Sequence, residues 1–262
     1  MTLSAPIAAL RARRPLVHCI SNIVSANDCA NLALAAGASP IMAQAPQEMA
    51  QISAAAAAVV LNTGTPDEEK FSACLAAGRA ANAAGRPVVL DPVGVGASEW
   101  RLAHIRALLE EVRPAIVRVN YSEAAALLGQ TAAEHGVDST APAGQELPAQ
   151  TASRLAGRLG TVVLLSGNGD VITDGARMHT VMGGSDRMRQ VTGAGCMLSV
   201  LCGAFAAVEP DAFEAACLAA RFWKLCAAKA ETQTAAQGAG SFHIALLDAA
   251  SLLTDEELSA FC

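Results

Sequence analysis

The chain has 262 residues, of which 53% are hydrophobic and 16% charged, so it can bury a large core and is not intrinsically disordered. Its formal net charge of −6 at pH 7 argues against a nucleic-acid or anionic-membrane binder, because such proteins carry a basic stripe. The length suits one α/β domain spanning residues 1–262.

The cysteines and the amino-terminal segment indicate the compartment. None of the eight cysteines forms a C-x-x-C pair, and most lie in apolar, alanine-rich stretches where a thiol packs as a small hydrophobe. The first residues lack a signal-peptide core, and no apolar run is long and helix-like enough to cross a bilayer. We therefore expect a reduced, cytoplasmic protein without membrane or nucleic-acid partners.

Short β-branched runs alternate with alanine-rich stretches along most of the chain. The predicted strands are residues 15–20, 39–43, 57–62, 87–92, 115–120 and 161–167. The predicted helices between them are residues 24–36, 46–55, 66–84, 98–111, 121–129 and 148–159. Apolar strands separated by single helices are typical of a parallel sheet covered on both faces, with right-handed crossovers.

The pattern changes after residue 167. Residues 170–175 and 177–182 predict a β-hairpin with Asp-Gly-Ala in its turn region, and helices follow at about 194–207, 210–235 and 254–261. Residues 135–150 are rich in Pro, Gly, Ser and Thr. They predict a loop too short to divide the chain into two domains.

Several predicted strands end in polar or glycine-rich segments. These segments read HCISN, LNTGTP, LDPVGVG, RVNYSE and LLSGNGD in chain order. Ligands of open parallel sheets bind beyond the carboxyl ends of the strands, so together these ends predict one polar crevice. A single such end would be only a turn.

The segment VTGAGCML, residues 191–198, predicts a glycine-flanked helix start at Gly193-Ala194-Gly195. Unpaired N–H groups at a helix amino end, approached closely through glycines, make an anion hole suited to phosphate. The alternative is an ordinary strand-to-helix turn. Neither G-x-x-x-x-G-K-[ST] nor G-x-G-x-x-G occurs, so a standard P-loop or dinucleotide site is not expected.

Three charged residues follow or end predicted strands. Asp91 and Glu123 either hold Mg²⁺ through water, as hard oxygen ligands do, or serve local structure. The structural alternative for Asp91 is a turn cap, and for Glu123 a capping interaction with Asn120. Arg118 lies late in an apolar strand and needs an anionic partner, either protein or phosphate.

Two other features predict ordinary structural roles. His18 lies inside a strand and is expected to be a hydrogen-bonded core histidine rather than a metal ligand. The run Asp67-Glu68-Glu69-Lys70 opens a helix and predicts a solvent-exposed first turn.

The chain resembles the hydroxyethylthiazole kinases, a thiamine-salvage family of the ribokinase-like superfamily. The matching stretches are residues 15–43, 61–65, 87–98, 118–123, 164–175, 191–199 and 237–248. NDCAN together with GASPIMA is specific to this family, whereas the GAG turn belongs to the whole superfamily. The likeness runs from about residue 8 to the carboxyl terminus.

The resemblance implies a three-layer α/β/α ribokinase-like fold with a mainly parallel sheet and no separate lid domain. It implies a homotrimer with active sites between subunits. The implied reaction is ATP-dependent phosphorylation, with Mg²⁺, of the primary hydroxyl of 4-methyl-5-(2-hydroxyethyl)thiazole.

The resemblance also assigns site residues. The acceptor residues would be Asn22, Val24, Gly193 and, from the neighbouring subunit, Met42. The nucleotide and metal residues would be Arg118 and Ser166 at the ATP phosphates, with Asp91 and Glu123 at the metal water. Cys196 would lie beside the reacting alcohol.

The chain departs from the family pattern on the nucleotide side. Val119 stands where the family has Gly, Asn168 where it has Glu, and Gln190 where Lys is common. A loop that often reads NGH is GGS at residues 183–185. These departures bear on how ATP is bound more than on the acceptor.

Cys196 stands where related sugar and vitamin kinases have Asp as a base. A helix amino end can lower a thiol pKa and produce a partial thiolate. In the loose transition state of phosphoryl transfer, however, the alcohol need not lose its proton early. We therefore expect Cys196 to position the alcohol and act as a weak base, the alternative being a purely structural role.

Two other functions are compatible with much of the pattern. A ribokinase-fold ATP-dependent NAD(P)HX dehydratase shares the ATP half but lacks NDCAN and GASPIM and usually has Asp at the GAG turn. A catalytically silent binding module would keep the fold, but the intact Asp91, Arg118, Glu123 and GAG turn argue against it.

Overall fold

The structure, a computed structural model, describes residues 4–130 and 147–261, and in them one sheet lies between two layers of helices. The strands are β1 (Leu16–Ile20), β2 (Ser39–Ile41), β3 (Ala58–Asn62), β4 (Val88–Asp91), β5 (Ile116–Val119), β6 (Val162–Leu165), β7 (Asp170–Thr173) and β8 (Met178–Val181). The helices are α1 (Pro6–Arg13), α2 (Ala26–Ala36), α3 (Met49–Ala55), α4 (Glu68–Ala83), α5 (Glu99–Glu111), α6 (Tyr121–Leu127), α7 (Pro148–Leu159), α8 (Ala194–Ala206), α9 (Ala212–Gln233), α10 (Ala239–Leu252) and α11 (Asp255–Ala260). Short 3₁₀ helices occupy Pro46–Glu48 and Asp186–Gln190.

The sheet has the strand order β2-β1-β3-β4-β5-β6-β7-β8. Strands β1 to β6 pair in parallel, and β7 and β8 continue the sheet as an antiparallel hairpin. The chain leaves β1 towards β2 on one side and returns to β3 on the other, so the order reverses at β1. In open parallel sheets a crevice forms at such a reversal, beyond the carboxyl ends of the strands.

Alternate side chains of each strand enter one of two cores, as the period-2 geometry of a strand requires. In β3, Val60 joins the core built with α1, α2, α8, α9 and α10. Its neighbours Val59 and Leu61 join the opposite core, built with α3 to α7. Burial on both faces explains why these strands are continuous apolar runs.

The three-layer architecture confirms the predicted fold class, and the predicted hairpin is present. Two helices were not predicted, α1 and α10. None of the helices in the described ranges has the length and hydropathy of a membrane-spanning segment. Of the predicted loop 135–150, residues 135–146 lie outside the described residues, and the remainder begins α7.

Candidate active site

Asp91 ends β4 and is completely buried. Its Oδ2 accepts hydrogen bonds from Asn62 Nδ2 at 2.8 Å and Ser199 Oγ at 2.7 Å. Its Oδ1 accepts no hydrogen bond from the described residues, and Arg118 Nη1 lies 3.5 Å from it. Burial raises the pKa of Asp91, although the Arg118 cation opposes this. An unsatisfied buried acceptor of this kind suits a cation or its water shell.

Arg118 lies on β5 and connects the Asp91 carboxylate to Ser166, the residue after β6. Its Nη2 donates to Ser166 Oγ at 2.6 Å, and the Ser166 hydroxyl in turn lies 3.3 Å from the Val119 carbonyl oxygen. The guanidinium also rests on Gly195, where an added Cβ would lie 2.4 Å from Nη2. Asp91 is therefore the protein anion that partners this buried arginine.

Glu123 lies in the first turn of α6 and is buried. It forms the capping box with Asn120, whose N–H donates to Oε2 at 2.8 Å, so the structural alternative for Glu123 is confirmed. Oε1 accepts from the Gly94 N–H at 2.9 Å. Burial, with the neighbouring Asp91 charge, raises the pKa of Glu123 to about 7 against the pull of Arg118.

The carboxylates bear on the predicted metal. Among the described residues, no group of three or more His, Cys, Asp or Glu side chains is placed to hold a metal ion directly. Asp91 Oδ1 accepts no hydrogen bond from the described residues and has only the Arg118 cation beside it, whereas both Glu123 oxygens already accept a backbone donor. This donor set fits Mg²⁺ held through water, the way this cation usually binds.

Gly193 opens α8 in the left-handed conformation, with φ 79°. An added Cβ would lie 2.4 Å from Ser25 Cβ, so this turn accepts only glycine without strain. No side chain caps the helix. The Ala194 N–H donates to the Val191 carbonyl oxygen at 3.4 Å, so the Gly195 N–H is the donor of this turn that is placed for an anion.

The Cys196 thiol, in the first turn of α8, is buried and lies near the side chains of Ser25 and Asn62. Burial, followed by the charge of Asp91, raises its pKa. Burial thus opposes the lowering of the thiol pKa that a helix amino end can produce. The group beside the crevice is a neutral thiol.

Three of the four predicted acceptor residues, Asn22, Val24 and Met42, lie on the loops after β1 and β2, whereas the fourth, Gly193, opens α8. Asn22 is buried, and its Oδ1 accepts from the Val24 N–H at 3.2 Å. Its carbonyl oxygen accepts a hydrogen bond from the Ser25 N–H at 3.0 Å, and the Ser25 side chain packs against Gly193 at the start of α8. Val24 is 58% exposed, and Met42 is partly buried against the core.

A cavity of about 390 Å³ opens beside β5 and β6. Four of the predicted site residues line it, namely Arg118, Ser166, Ala194 and Gly195. The GGS loop at 183–185 forms part of the opposite wall. The helix start and the buried arginine therefore face one volume, which supports the prediction of an anion site.

The cavity also includes residues that sequence reasoning missed. Lys224 Nζ donates to the carbonyl oxygens of Gly167 at 2.8 Å and Asn168 at 3.0 Å, and lies 3.4 Å from Asp170 Oδ1. Arg189 Nη2 donates to Asn168 Oδ1 at 2.9 Å. The available signal was a lysine inside the apolar helix segment RFWKLCAA, where a charge requires a partner.

The predictions for His18 and Lys70 have different outcomes. His18 is buried, with Nδ1 3.0 Å from Ser53 Oγ and Nε2 3.0 Å from the Ala43 carbonyl oxygen, which confirms a hydrogen-bonded core histidine. Lys70 is only 2% exposed, so the expectation of a solvent-exposed turn is wrong for this residue. Lys70 is the third residue of α4, and its side chain points inward.

Comparison with known proteins identifies the family. The model of the hydroxyethylthiazole kinase family, HK, matches residues 7–256. The chain belongs to the hydroxyethylthiazole kinase family. A hydroxyethylthiazole kinase of Listeria monocytogenes serovar 1/2a is 44% identical over 251 residues, which cover 96% of this chain and 93% of the relative.

Solved structures agree with the family and the fold. The hydroxyethylthiazole kinase protein of Pyrococcus horikoshii OT3 superposes with a TM-score of 0.88 at 34% identity, covering 98% of this chain and 95% of that one. A ribokinase-like superfamily protein of Enterococcus faecalis V583 superposes with a TM-score of 0.59 at 13% identity, covering 92% and 88%. The second likeness shows the fold alone. The chain is thus a phosphotransferase with a ribokinase-like fold, and the dehydratase alternative is not favoured.

Proposed function

We propose that the chain transfers the γ-phosphoryl group of ATP to the primary hydroxyl of 4-methyl-5-(2-hydroxyethyl)thiazole, as a step of thiamine salvage. The observation that carries the proposal is the family match over residues 7–256, with relatives named for this activity. The geometry is compatible with it, because an uncapped helix start and a buried arginine face one cavity at the carboxyl edge of the sheet.

On the nucleotide side, Arg118 and Ser166 bind the phosphates of ATP. Their 2.6 Å hydrogen bond and the contact of the guanidinium with Gly195 fix the cation before the nucleotide arrives. A fixed cation needs little reorganisation as charge develops on the transferring group. The N–H groups of Gly193, Ala194 and Gly195 form the anion hole for the same group.

The metal residues are Asp91 and Glu123. When bound, Mg²⁺ would neutralise charge on the transferring phosphoryl group. Asp91 offers Oδ1, which accepts no hydrogen bond from the described residues, to the metal water. Glu123 holds its carboxylate in place through the N–H groups of Asn120 and Gly94. The two carboxylates would thus anchor the hydration shell and not the bare cation.

The acceptor lies on the Cys196 side. Asn22, Val24 and Gly193 contact the thiazole, and Met42 reaches it from the neighbouring subunit of a homotrimer. The neutral thiol of Cys196 positions the alcohol without adding a charge beside the γ-phosphate. In a loose transition state the alcohol keeps its proton until its bond to phosphorus forms, so no strong base is required.

On the nucleotide side, a residue that differs from the family pattern has a hydrogen-bond partner nearby. Asn168 accepts from Arg189 at 2.9 Å, whereas a carboxylate at residue 168 would have formed an ion pair there. Lys224, which binds the backbone of residues 167 and 168, supplies a cation to the same wall. These residues support an ATP site that keeps its positive electrostatic potential.

We also propose that the chain forms one domain and works in the cytoplasm.

The test is an ADP-release assay with purified protein, ATP, Mg²⁺ and hydroxyethylthiazole. We expect acceptor-dependent ADP release, and no ADP release with hydrated NADH as the alternative substrate. Release with hydrated NADH alone would favour the dehydratase. Nucleotide binding without turnover on either substrate would favour the silent module.

A further inference from the structure

Lys70 is a buried ammonium group bound by backbone carbonyls. Its Nζ donates to the carbonyl oxygens of Ser21 and Gly64, each at 2.7 Å, and lies 3.5 Å from Thr65 Oγ1. In the described part of the chain no carboxylate forms an ion pair with it. Burying a charge is costly unless it is hydrogen-bonded, so these carbonyls are what stabilises this side chain.

The two carbonyls belong to different loops of the candidate site. Ser21 begins the loop between β1 and α2, which carries Asn22 and Val24, and Gly64 lies in the loop between β3 and α4. The loops touch directly, because an added Cβ on Gly64 would lie 2.4 Å from Asn22 Nδ2. The Ile23 N–H also donates to Thr65 Oγ1 at 3.2 Å. The Lys70 ammonium group therefore joins the two loops in the interior, and the hydrogen bond between Ile23 and Thr65 joins them nearer the surface.

These loops meet where the sheet order reverses, between β1 and β3. That crevice is the expected place for a ligand of a parallel sheet. Lys70 does not line the cavity at β5 and β6. Its Nζ contacts the loop that carries Asn22, so it lies behind the acceptor side of the crevice.

We propose that Lys70 is a positioning residue for the acceptor, clamping the β1–α2 loop to the β3–α4 loop so that Asn22 and Val24 form one fixed wall of the acceptor pocket. The proposal rests on the proposed function for the identity of the acceptor, but the clamp itself is a property of the two loops. Misplacing a substrate by about 1 Å costs about 100-fold in rate. Loss of the clamp should therefore appear in acceptor kinetics.

The test compares Lys70→Met, which keeps the length of the side chain but removes its donors, with Lys229→Met. Lys229 is a suitable control because it pairs with Glu257 on α11, away from the crevice. We expect Lys70→Met to raise the acceptor KM about 10- to 100-fold while the ATP KM changes less than about twofold. The control should change neither constant. An unchanged acceptor KM, or equal increases in both constants, would overturn the proposal.

A rescue experiment separates positioning from general stability. In Lys70→Ala, added ethylammonium should restore part of the acceptor affinity by occupying the vacated ammonium position, and it should leave Lys229→Ala unaffected. Absence of rescue in a folded variant would count against the clamp. If Lys70→Met does not fold, Lys70→Gln replaces the ammonium group by a shorter, uncharged amide, and the acceptor KM should still rise more than the ATP KM.

Hydrogen exchange distinguishes failure of the clamp from failure of the proposed function. Lys70→Met should exchange amide hydrogens faster at residues 21–25 and 63–67, whereas exchange in β5 and β6 should be unchanged. If the wild-type protein does not phosphorylate hydroxyethylthiazole, the proposed function fails and this exchange pattern alone decides the clamp. Unchanged exchange in both loops would overturn it.

Discussion

At the residue scale, the site concentrates buried charge around Arg118. Asp91 and Glu123 are buried beside it, and burial raises the pKa of both carboxyl groups. A protein accepts such unfavourable burial where a ligand later compensates it, which is why displaced pKa values mark functional sites. The charge distribution therefore supports the cation site independently of the family.

The raised pKa values predict how stability depends on pH. The native state holds the Glu123 proton up to about pH 7, whereas the unfolded chain releases it near its ordinary value of 4.5. As pH rises from about 5 to 7, the unfolded state ionises first, so the unfolding free energy of the metal-free protein should fall by on the order of 3 kcal/mol. Urea titrations across this range measure the slope.

Glu123→Gln provides the control for this slope. The variant lacks the titrating group, so its unfolding free energy should change less between pH 5 and 8 than that of the wild type. Its absolute stability is not the readout, because an amide replaces one acceptor of the two backbone N–H groups. Equal slopes in the two proteins would contradict the burial argument.

Cys196 gives a second prediction at this scale. Its pKa is raised by burial and by Asp91, so a neutral thiol is present at neutral pH. Cys196→Ser should therefore keep kcat within about tenfold, since loss of an essential base costs about 10²–10⁴-fold. The pH–rate profiles of both proteins should lack a limb that follows a thiol. Such a limb in the wild type, absent from a serine variant slower by about a thousandfold, would show that the thiolate is the base.

At the scale of elements, the start of α8 is fitted to Arg118. Gly195→Ala places a methyl group 2.4 Å from Nη2, and the guanidinium must move to accept it. We expect kcat/KM for ATP to fall at least about 100-fold with little change in unfolding temperature. Gly195→Val should abolish activity in a folded protein.

Gly157→Ala is the matched control for this substitution. Gly157 lies in α7, where an added Cβ meets nothing within 4 Å. The change should leave activity intact and raise stability slightly, because alanine favours helix more than glycine. Wild-type turnover in Gly195→Ala would contradict the anion hole.

Sequence reasoning predicted the elements whose signal is local. Apolar runs located β1 to β6, and the polar ends of those strands located the crevice.

Helix α10 was missed because Gly238 and Gly240 at its start weaken the helical signal. Lys70 was misjudged because the acidic run before it suggests a solvated turn, whereas the phase of α4 turns this one side chain inward. The raised pKa of Cys196 depends on packing from α2, β3 and β4, which no local pattern reports.

At the scale of the whole molecule, the proposed trimer predicts a mass and an exposed apolar contact. Sedimentation should give about three times the 26.6 kDa chain. Ile23 is 77% exposed beside Val24, on the acceptor loop, as expected of a wall completed by a neighbouring subunit. A stable, active monomer would contradict the trimer.

A charge on the acceptor loop tests where the subunits meet. Ile23→Lys should dissociate the trimer and lower activity, because an unpaired charge in an apolar interface is costly. Leu252→Lys, at a side chain 67% exposed at the end of α10, is the matched control and should leave mass and activity unchanged. Loss of the trimer in the control alone would place the interface elsewhere.

The central claim is that the crevice at the carboxyl edge of the sheet phosphorylates the hydroxyl of hydroxyethylthiazole. Phosphorus NMR of a reaction containing the protein, ATP, Mg²⁺ and the thiazole tests it most directly. The account predicts a new phosphomonoester signal, coupled to the hydroxyethyl methylene protons, that grows as ADP forms and is lost in Asp91→Ala and Arg118→Ala. An ADP signal accompanied only by inorganic phosphate, or an ester formed equally well by both variants, would contradict it.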